Sequence, residues 1–238
     1  MKKLLANLKR SQDLYRQGPF SLTAVAKQDV AVLVFCGASN DVVSYQDEAL
    51  PTTTEHIRQE LRLSRNERVI DYIRDTAQAN IDESGSGPVD QCTLWLPGYS
   101  TRLSFEPNEA YVYPLEMWGQ VGSRESAMHV DHGRTVAFIP PCLEQTFKIW
   151  VFFRDPKYAR NIRAKITADS FNRMLEDPLT CVIGQHPGDV VYMGNQVYHA
   201  VLLGYKKDTK DDDKWGIIGG NVVLKAEDHG AALRLIGI

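Results

Sequence analysis

Six histidines and thirty carboxylic acids stand among the 238 residues. One histidine alone has an acid two places downstream, in His129-Val130-Asp131. In an extended strand, residues i and i+2 leave the same face, so this spacing presents an imidazole nitrogen and a carboxylate oxygen to one point. Chance supplies about one such pair in a chain of this composition, so the pattern gains meaning only with a third ligand. His199 supplies it. It follows the turn Pro187-Gly188-Asp189, the strand-like run Val190–Met193 and a second turn, Gly194-Asn195-Gln196, near the start of another apolar run. Two histidines and one carboxylate on one side of a metal form the facial triad of non-haem Fe(II) oxygenases, which leaves positions open for a cosubstrate and O2. His132, three residues from His129, falls on the other side of a regular strand, and His186 sits at a turn, so neither is preferred.

A second chemical feature is Lys148, set in Gln145-Thr146-Phe147-Lys148-Ile149-Trp150-Val151-Phe152-Phe153. Lysine is seldom fully buried without a partner, yet here it interrupts an aromatic and aliphatic run. It has two readings: a side chain snorkelling from a sheet edge, or a point charge reserved for the carboxylate of a bound acid.

Strands must carry these residues. From Gln91 onward the chain consists of short β-prone runs separated by turns: Thr93–Leu96, Ala110–Tyr113, Ala127–Asp131, Thr135–Ile139, Phe147–Phe153, Thr180–Ile183, Val190–Met193, Val197–Leu203 and Trp215–Leu224. Many short strands with Gly and Pro punctuation predict a sandwich or barrel, and a jelly roll would bring the three ligands together. Asp169–Leu175 reads as helical, and Lys206 to Lys214 (KKDTKDDDK) as a solvated loop.

Before Gln91 the character differs. Leu4, Leu5 and Leu8 predict a short amphipathic helix over 2–16, and Asp29–Cys36 a strand buried on both faces. A helical stretch over 54–79 carries Ile57, Leu61, Val69, Ile70 and Ile73 and opens with Thr52 and Glu55 at capping-box spacing. Ser84-Gly85-Ser86-Gly87-Pro88 then breaks the pattern. The expected organisation is a helical and mixed region, 1–88, packed on a barrel, 89–238, as one structural unit.

Composition bounds the rest. With 43% apolar residues, a chain of this length buries roughly 70–75% of its unfolded surface without metal or disulfide staples. The net charge of −3 lacks the basic excess of a phosphate-gripping protein, so no direct nucleic-acid binding is expected. Cys36, Cys92, Cys142 and Cys181 form no CxxC pair and read as reduced, mostly buried thiols. Lys9 and Arg10 interrupt the apolar start of the chain too early for an export signal or a membrane span. The expectation is an intracellular protein, nuclear or cytoplasmic, with no membrane association. Residues 231–238 are apolar enough to pack on the barrel or on a second copy.

Four blocks then resemble a known family. Ser126-Ala127-Met128-His129-Val130-Asp131-His132-Gly133-Arg134-Thr135, Lys148-Ile149-Trp150, His199-Ala200-Val201-Leu202 and Gly219-Gly220-Asn221 look like a JmjC domain. The closest likeness is to the lysine demethylases that carry F-box or PHD-finger modules. These read roughly T-D-F-H-I-D-F-G-G-T, G-E-K-I-F, H-A-V-L and F-G-G-N in the same order. The resemblance covers about residues 90–225 and implies a mainly β fold with flanking helices, a double-stranded β-helix: the jelly roll of a cupin-like JmjC barrel. It implies that His129, Asp131 and His199 hold Fe(II). Lys148 and Ser126 would bind the distal carboxylate of 2-oxoglutarate, and Thr135 and Asn221 would line the cosubstrate pocket.

The chain departs from that pattern around Pro140-Pro141, where the strand should end early and a distinct loop follow. The subgroup's cosubstrate-contacting tyrosine is missing, with Ile139 near its place and Tyr113 as a substitute. The implied activity is an Fe(II)- and 2-oxoglutarate-dependent dioxygenase that consumes O2 and hydroxylates a C–H bond. Its expected substrate is a protein or peptide, with N-methyl-lysine demethylation foremost and side-chain or small-molecule hydroxylation as the alternative. A cupin isomerase or binding barrel, or a non-catalytic scaffold, is the reading from another class. Lys148, Ser126 and the intact triad argue against it.

Overall fold

Among the described residues, fourteen elements run in the order β1 (Arg16–Gln17), β2 (Val32–Phe35), α1 (Thr54–Glu60), α2 (Val69–Ser84), β3 (Gln91–Leu94), β4 (Ala110–Val112), β5 (Glu116–Val121), β6 (Arg124–His129), β7 (Arg134–Phe138), β8 (Thr146–Phe153), β9 (Thr180–Gln185), β10 (Val190–Met193), β11 (Tyr198–Tyr205) and β12 (Trp215–Lys225), with a 3-10 turn at Asp211–Asp213. The computed structural model describes residues 16–17, 32–37, 53–87, 90–94, 110–112, 116–122, 124–131, 134–153, 173, 175–177, 180–194 and 197–225. Of these, 16–17, 33, 110–112, 116, 124–127 and 221–225 are described by backbone alone.

The large sheet is ordered β1-β2-β10-β7-β12-β5-β3, with β4 also on β12; the small sheet is ordered β6-β11-β8-β9. From β5 to β12 the chain crosses between sheets at every step except β8 to β9, and every pairing among these strands is antiparallel. Eight strands interleaved as β5-β12-β7-β10 against β6-β11-β8-β9 make the two Greek keys of a jelly roll. This is the expected double-stranded β-helix.

Three apolar layers follow from strand alternation. Val136 and Phe138 of β7 join the helix-side core with Val190 and Tyr192 of β10 and with Ile57, Ile70 and Ile73 of the helices. Ala137 turns the other way. It joins Val191, Met193, Trp150, Phe152, Ile183 and Val201 between the sheets. A third cluster, Met128, Val151, Phe153, Val182 and Ala200, covers the outer face of the small sheet. A sheet covered on both faces is why β7 reads as a continuous buried run.

Several expectations are corrected. The helical stretch over 54–79 is two helices, broken where Arg62 takes a positive φ of 57°. The N-cap is Thr53, not Thr52, and its hydroxyl accepts from the His56 N–H at 3.1 Å. Gly85, at φ 70°, ends α2 in the left-handed conformation and donates to the Ile81 carbonyl. Strand β5 was missed, because Glu116, Gly119 and Gln120 dilute its apolar signal, yet it is hydrogen-bonded on both edges. Strand β2, which precedes residue 88, pairs with β10. Arg16, the last residue of the expected N-terminal helix, is in a strand. The rest of that helix, Tyr113, His132 and residues 231–238 lie outside the described residues. Cys92 and Cys181 are buried, but Cys36 is exposed, and all four cysteines are free thiols. Among the described residues no helix is long and apolar enough to cross a membrane.

Candidate metal centre

His129 closes β6 and His199 is the second residue of β11, and the strand register sets the two residues directly opposite each other. Their ring centroids are 4.1 Å apart. Between His199 and Val201 the register slips: one residue of β11, Ala200, faces two of β6, Ala127 and Met128, which is a β-bulge. Bulges re-aim side chains beside functional sites. This one keeps position 126 in step with the barrel-facing Val201 although it lies three residues from His129.

Asp131 lies just beyond the end of β6, so strand pleating does not aim it as expected. A hydrogen bond does. Thr135 Oγ1 on β7 donates to Asp131 Oδ2 at 2.7 Å. Asp131 Oδ1 is 3.6 Å from His129 Nε2 and Oδ2 is 3.8 Å from His199 Nε2. Both separations exceed the roughly 2.7–3.2 Å of a hydrogen bond, so the three groups face a common point rather than bonding to one another. All three donor atoms lie within 4.8 Å of one another.

The tautomer of His199 follows from its partner. Nδ1 lies 3.0 Å from the Val197 carbonyl, which can only accept, so Nδ1 carries the proton and Nε2 offers its lone pair. Burial pushes His199 down to about 4, helped by His129 and opposed by Asp131. The imidazole is therefore neutral at physiological pH, as metal ligation requires. His199 is 2% exposed against 39% and 30% for His129 and Asp131, so the centre opens to solvent on one side. Two imidazole nitrogens and a carboxylate with an open side suit Fe(II), and these residues fit that ion.

Lys148 is 7% exposed. On β8 it alternates with Trp150 and Phe152, and across β11 these three stand opposite Leu203, Val201 and His199. The lysine therefore shares the inward face of the triad. Its Nζ lies over the Trp150 ring at 5.0 Å. Among the described residues it makes no hydrogen bond or ion pair. Burial pushes its pKa down to about 7, and the charge of Asp131 partly opposes this.

Thr135 donates to Asp131 and so orients that carboxylate. The backbone sets Asn221 opposite Val136, the rung next to the Val222–Thr135 pair, and so at a position of the face that Val136 turns to the helix-side core, not the inner face on which it was expected. The side chains of Asn221 and Ser126 lie outside what is described. Sequence reasoning missed Trp150 and Gln185. Trp150 was findable from its i+2 spacing to Lys148, whereas Gln185 carries no local signal.

No protein-family model matches the chain. No curated protein matches it. Among solved structures it is similar to a cupin superfamily protein of Desulfitobacterium hafniense, at 9% identity over 58% of this chain and 82% of that one, with a TM-score of 0.31. It is also similar to the ribosomal oxygenase YcfD of Escherichia coli, at 13% identity over 48% of this chain and 23% of that one, TM-score 0.29. A salicylate 1,2-dioxygenase of Pseudaminobacter salicylatoxidans overlaps at 12% identity over 69% of this chain and 35% of that one, TM-score 0.32. The chain spans well under two thirds of either oxygenase, and the chemistry assigned to it rests on its own residues.

Proposed function

We propose that this protein is an Fe(II)- and 2-oxoglutarate-dependent dioxygenase that hydroxylates a C–H bond. The observation that carries the reading is the buried Lys148, an amine without an anionic contact among the described residues, on the same inner face as a ready-made triad. Phe152 stands opposite His199, and Lys148 lies four residues back along β8, about 13 Å at ~3.3 Å per residue. The lysine leans over Trp150, which lies between these two levels, so its Nζ is turned toward the triad end of the strand.

Bound there, iron and 2-oxoglutarate supply the oxidation: O2 is spent on decarboxylating the cosubstrate to succinate and on hydroxylating the substrate carbon. The chain's own residues do the rest. His129, Asp131 and His199 hold the ion, Thr135 orients the carboxylate, and the Val197 carbonyl keeps the His199 proton on Nδ1. Lys148 binds the far carboxylate, with Ser126 as a second donor by resemblance to JmjC domains. Val191, Met193 and Val201 wall the space between the sheets and exclude water.

The substrate carbon we favour is in a protein or peptide, with an N-methyl-lysine group first and a side-chain or small-molecule carbon as the alternative. The likeness of the four JmjC blocks supports this choice. Anaerobic addition of Fe(II) and 2-oxoglutarate should give a weak visible charge-transfer band that disappears in His129→Ala and Asp131→Ala; a wild type without the band would sink the oxygenase reading. Succinate release on methylated and unmethylated peptides, with mass spectra searched for loss of a methylene or gain of an oxygen, separates demethylation from stable hydroxylation.

A further inference from the structure

Gln185, the last residue of β9, is fully buried and stands opposite Lys148 in the register of the small sheet. Its Nε2 donates to two carbonyls, Ala137 O at 2.9 Å and Asp189 O at 3.0 Å. Carbonyls only accept, so the amide nitrogen must occupy that side and the orientation of the group is settled. Oε1 is thereby turned toward Trp150, whose Nε1–H it accepts at 2.8 Å. The amide reaches from the small sheet to β7 of the large one and to the turn before β10.

The indole so held is the ring under Lys148 Nζ. It also stacks on Phe152 at 5.9 Å with an interplanar angle of 2°, and its centroid is 5.7 Å from the His199 ring. A tryptophan face attracts an ammonium. An indole free to rotate would not keep that face beneath the amine. Nothing else among the described residues fixes both the indole N–H and the sheet-to-sheet spacing at this level of the barrel.

We infer that Gln185 is a positioning residue for the anion clamp, holding the Trp150 ring beneath Lys148 and so setting cosubstrate affinity without touching cosubstrate or metal. The inference rests on the proposed role of Lys148. A merely structural amide would lower stability and disturb every ligand alike; a positioning amide disturbs the anion selectively.

The experiment titrates 2-oxoglutarate against the Fe(II)-loaded protein under anaerobic conditions and, separately, Co(II) against the metal-free protein. Trp150→Phe keeps a ring and the carbonyl bonds of Gln185 but removes the indole N–H, so it tests the link even if Gln185→Leu folds poorly. Both variants should raise the half-saturating 2-oxoglutarate concentration about tenfold, the size of one lost hydrogen bond, and leave Co(II) half-saturation within about twofold. Combined, the two should add little to either alone, because they remove the same bond. Unchanged 2-oxoglutarate binding, equal losses for anion and metal, or additive effects would overturn the role of Gln185 while leaving the oxygenase reading intact. A wild type that binds Co(II) but not 2-oxoglutarate would overturn both.

Discussion

Thr135 on the large sheet donates its hydroxyl proton to Asp131 Oδ2, across 2.7 Å, from the strand that follows the β6–β7 connection. The carboxylate of the triad is therefore aimed by a neighbouring strand and not by its own. Thr135→Val should lower Co(II) affinity by about 10–100-fold, the usual cost of losing a partner behind a metal ligand, and Thr135→Ser should restore most of it. Calorimetric titration measures both; equal affinity in the valine variant and the wild type would mean that the bond does not orient Asp131.

Lys148 carries a pH signature. Its pKa falls from 10.5 to about 7 on burial. Above 10.5 both folded and unfolded chains hold a neutral amine; as pH falls toward 7 the unfolded chain gains a proton that the folded one resists, and stability is lost. Lys148→Met should therefore raise the thermal midpoint of the metal-free protein near neutral pH, and the advantage should shrink as pH rises toward 10.5. Each kcal/mol gained is worth about 2–4 °C at this chain length. A bound dicarboxylate restores the charged amine, so calorimetry at pH 8 in buffers of different ionisation enthalpy should show proton uptake with 2-oxoglutarate.

His199 works the acid side. Burial takes its imidazole from 6.5 to about 4, so within that window the unfolded chain is protonated and the folded one is not. The urea midpoint of the metal-free protein should fall as pH drops from 6.5 toward 4, and His199→Gln should flatten that part of the profile. Parallel wild-type and variant profiles would show that another group controls the acid limb.

Gly219 on β12 stands opposite Phe138 and Met117. A Cβ there would collide with the Phe138 ring and sit 2.8 Å from Met117 Sδ. Phe138 is fully buried and has little room to yield. Gly219→Ala should cost about 1–3 kcal/mol by urea denaturation, as overpacking does, and Phe138→Leu in the same chain should recover part of it. Absence of any cost would mean that β12 shifts to make room.

The jelly roll was largely legible because its strands are short apolar runs between turns, and β10 falls at Val190–Met193 as read. Strand β5 was not, since its place between β12 and β3 depends on pairing rather than on its own hydrophobicity. The break between α1 and α2 also escaped periodicity, because Arg62 and the exposed residues after it interrupt the chain without disturbing the apolar spacing on either side.

By itself the sequence determined which side chains could take part in a site: a histidine and a carboxylate two apart, a distant histidine after a turn, and a lysine inside an aromatic run. Residue type decides that much, because imidazole, carboxylate and ammonium differ in what they bind. Tertiary structure alone decided how they act together. It set His129 opposite His199 through a bulged register, aimed Asp131 through Thr135, and pinned Trp150 beneath Lys148 through Gln185. Each of these relations joins strands far apart in the chain, and hydrogen bonds between such strands exist only once the two sheets have closed on each other.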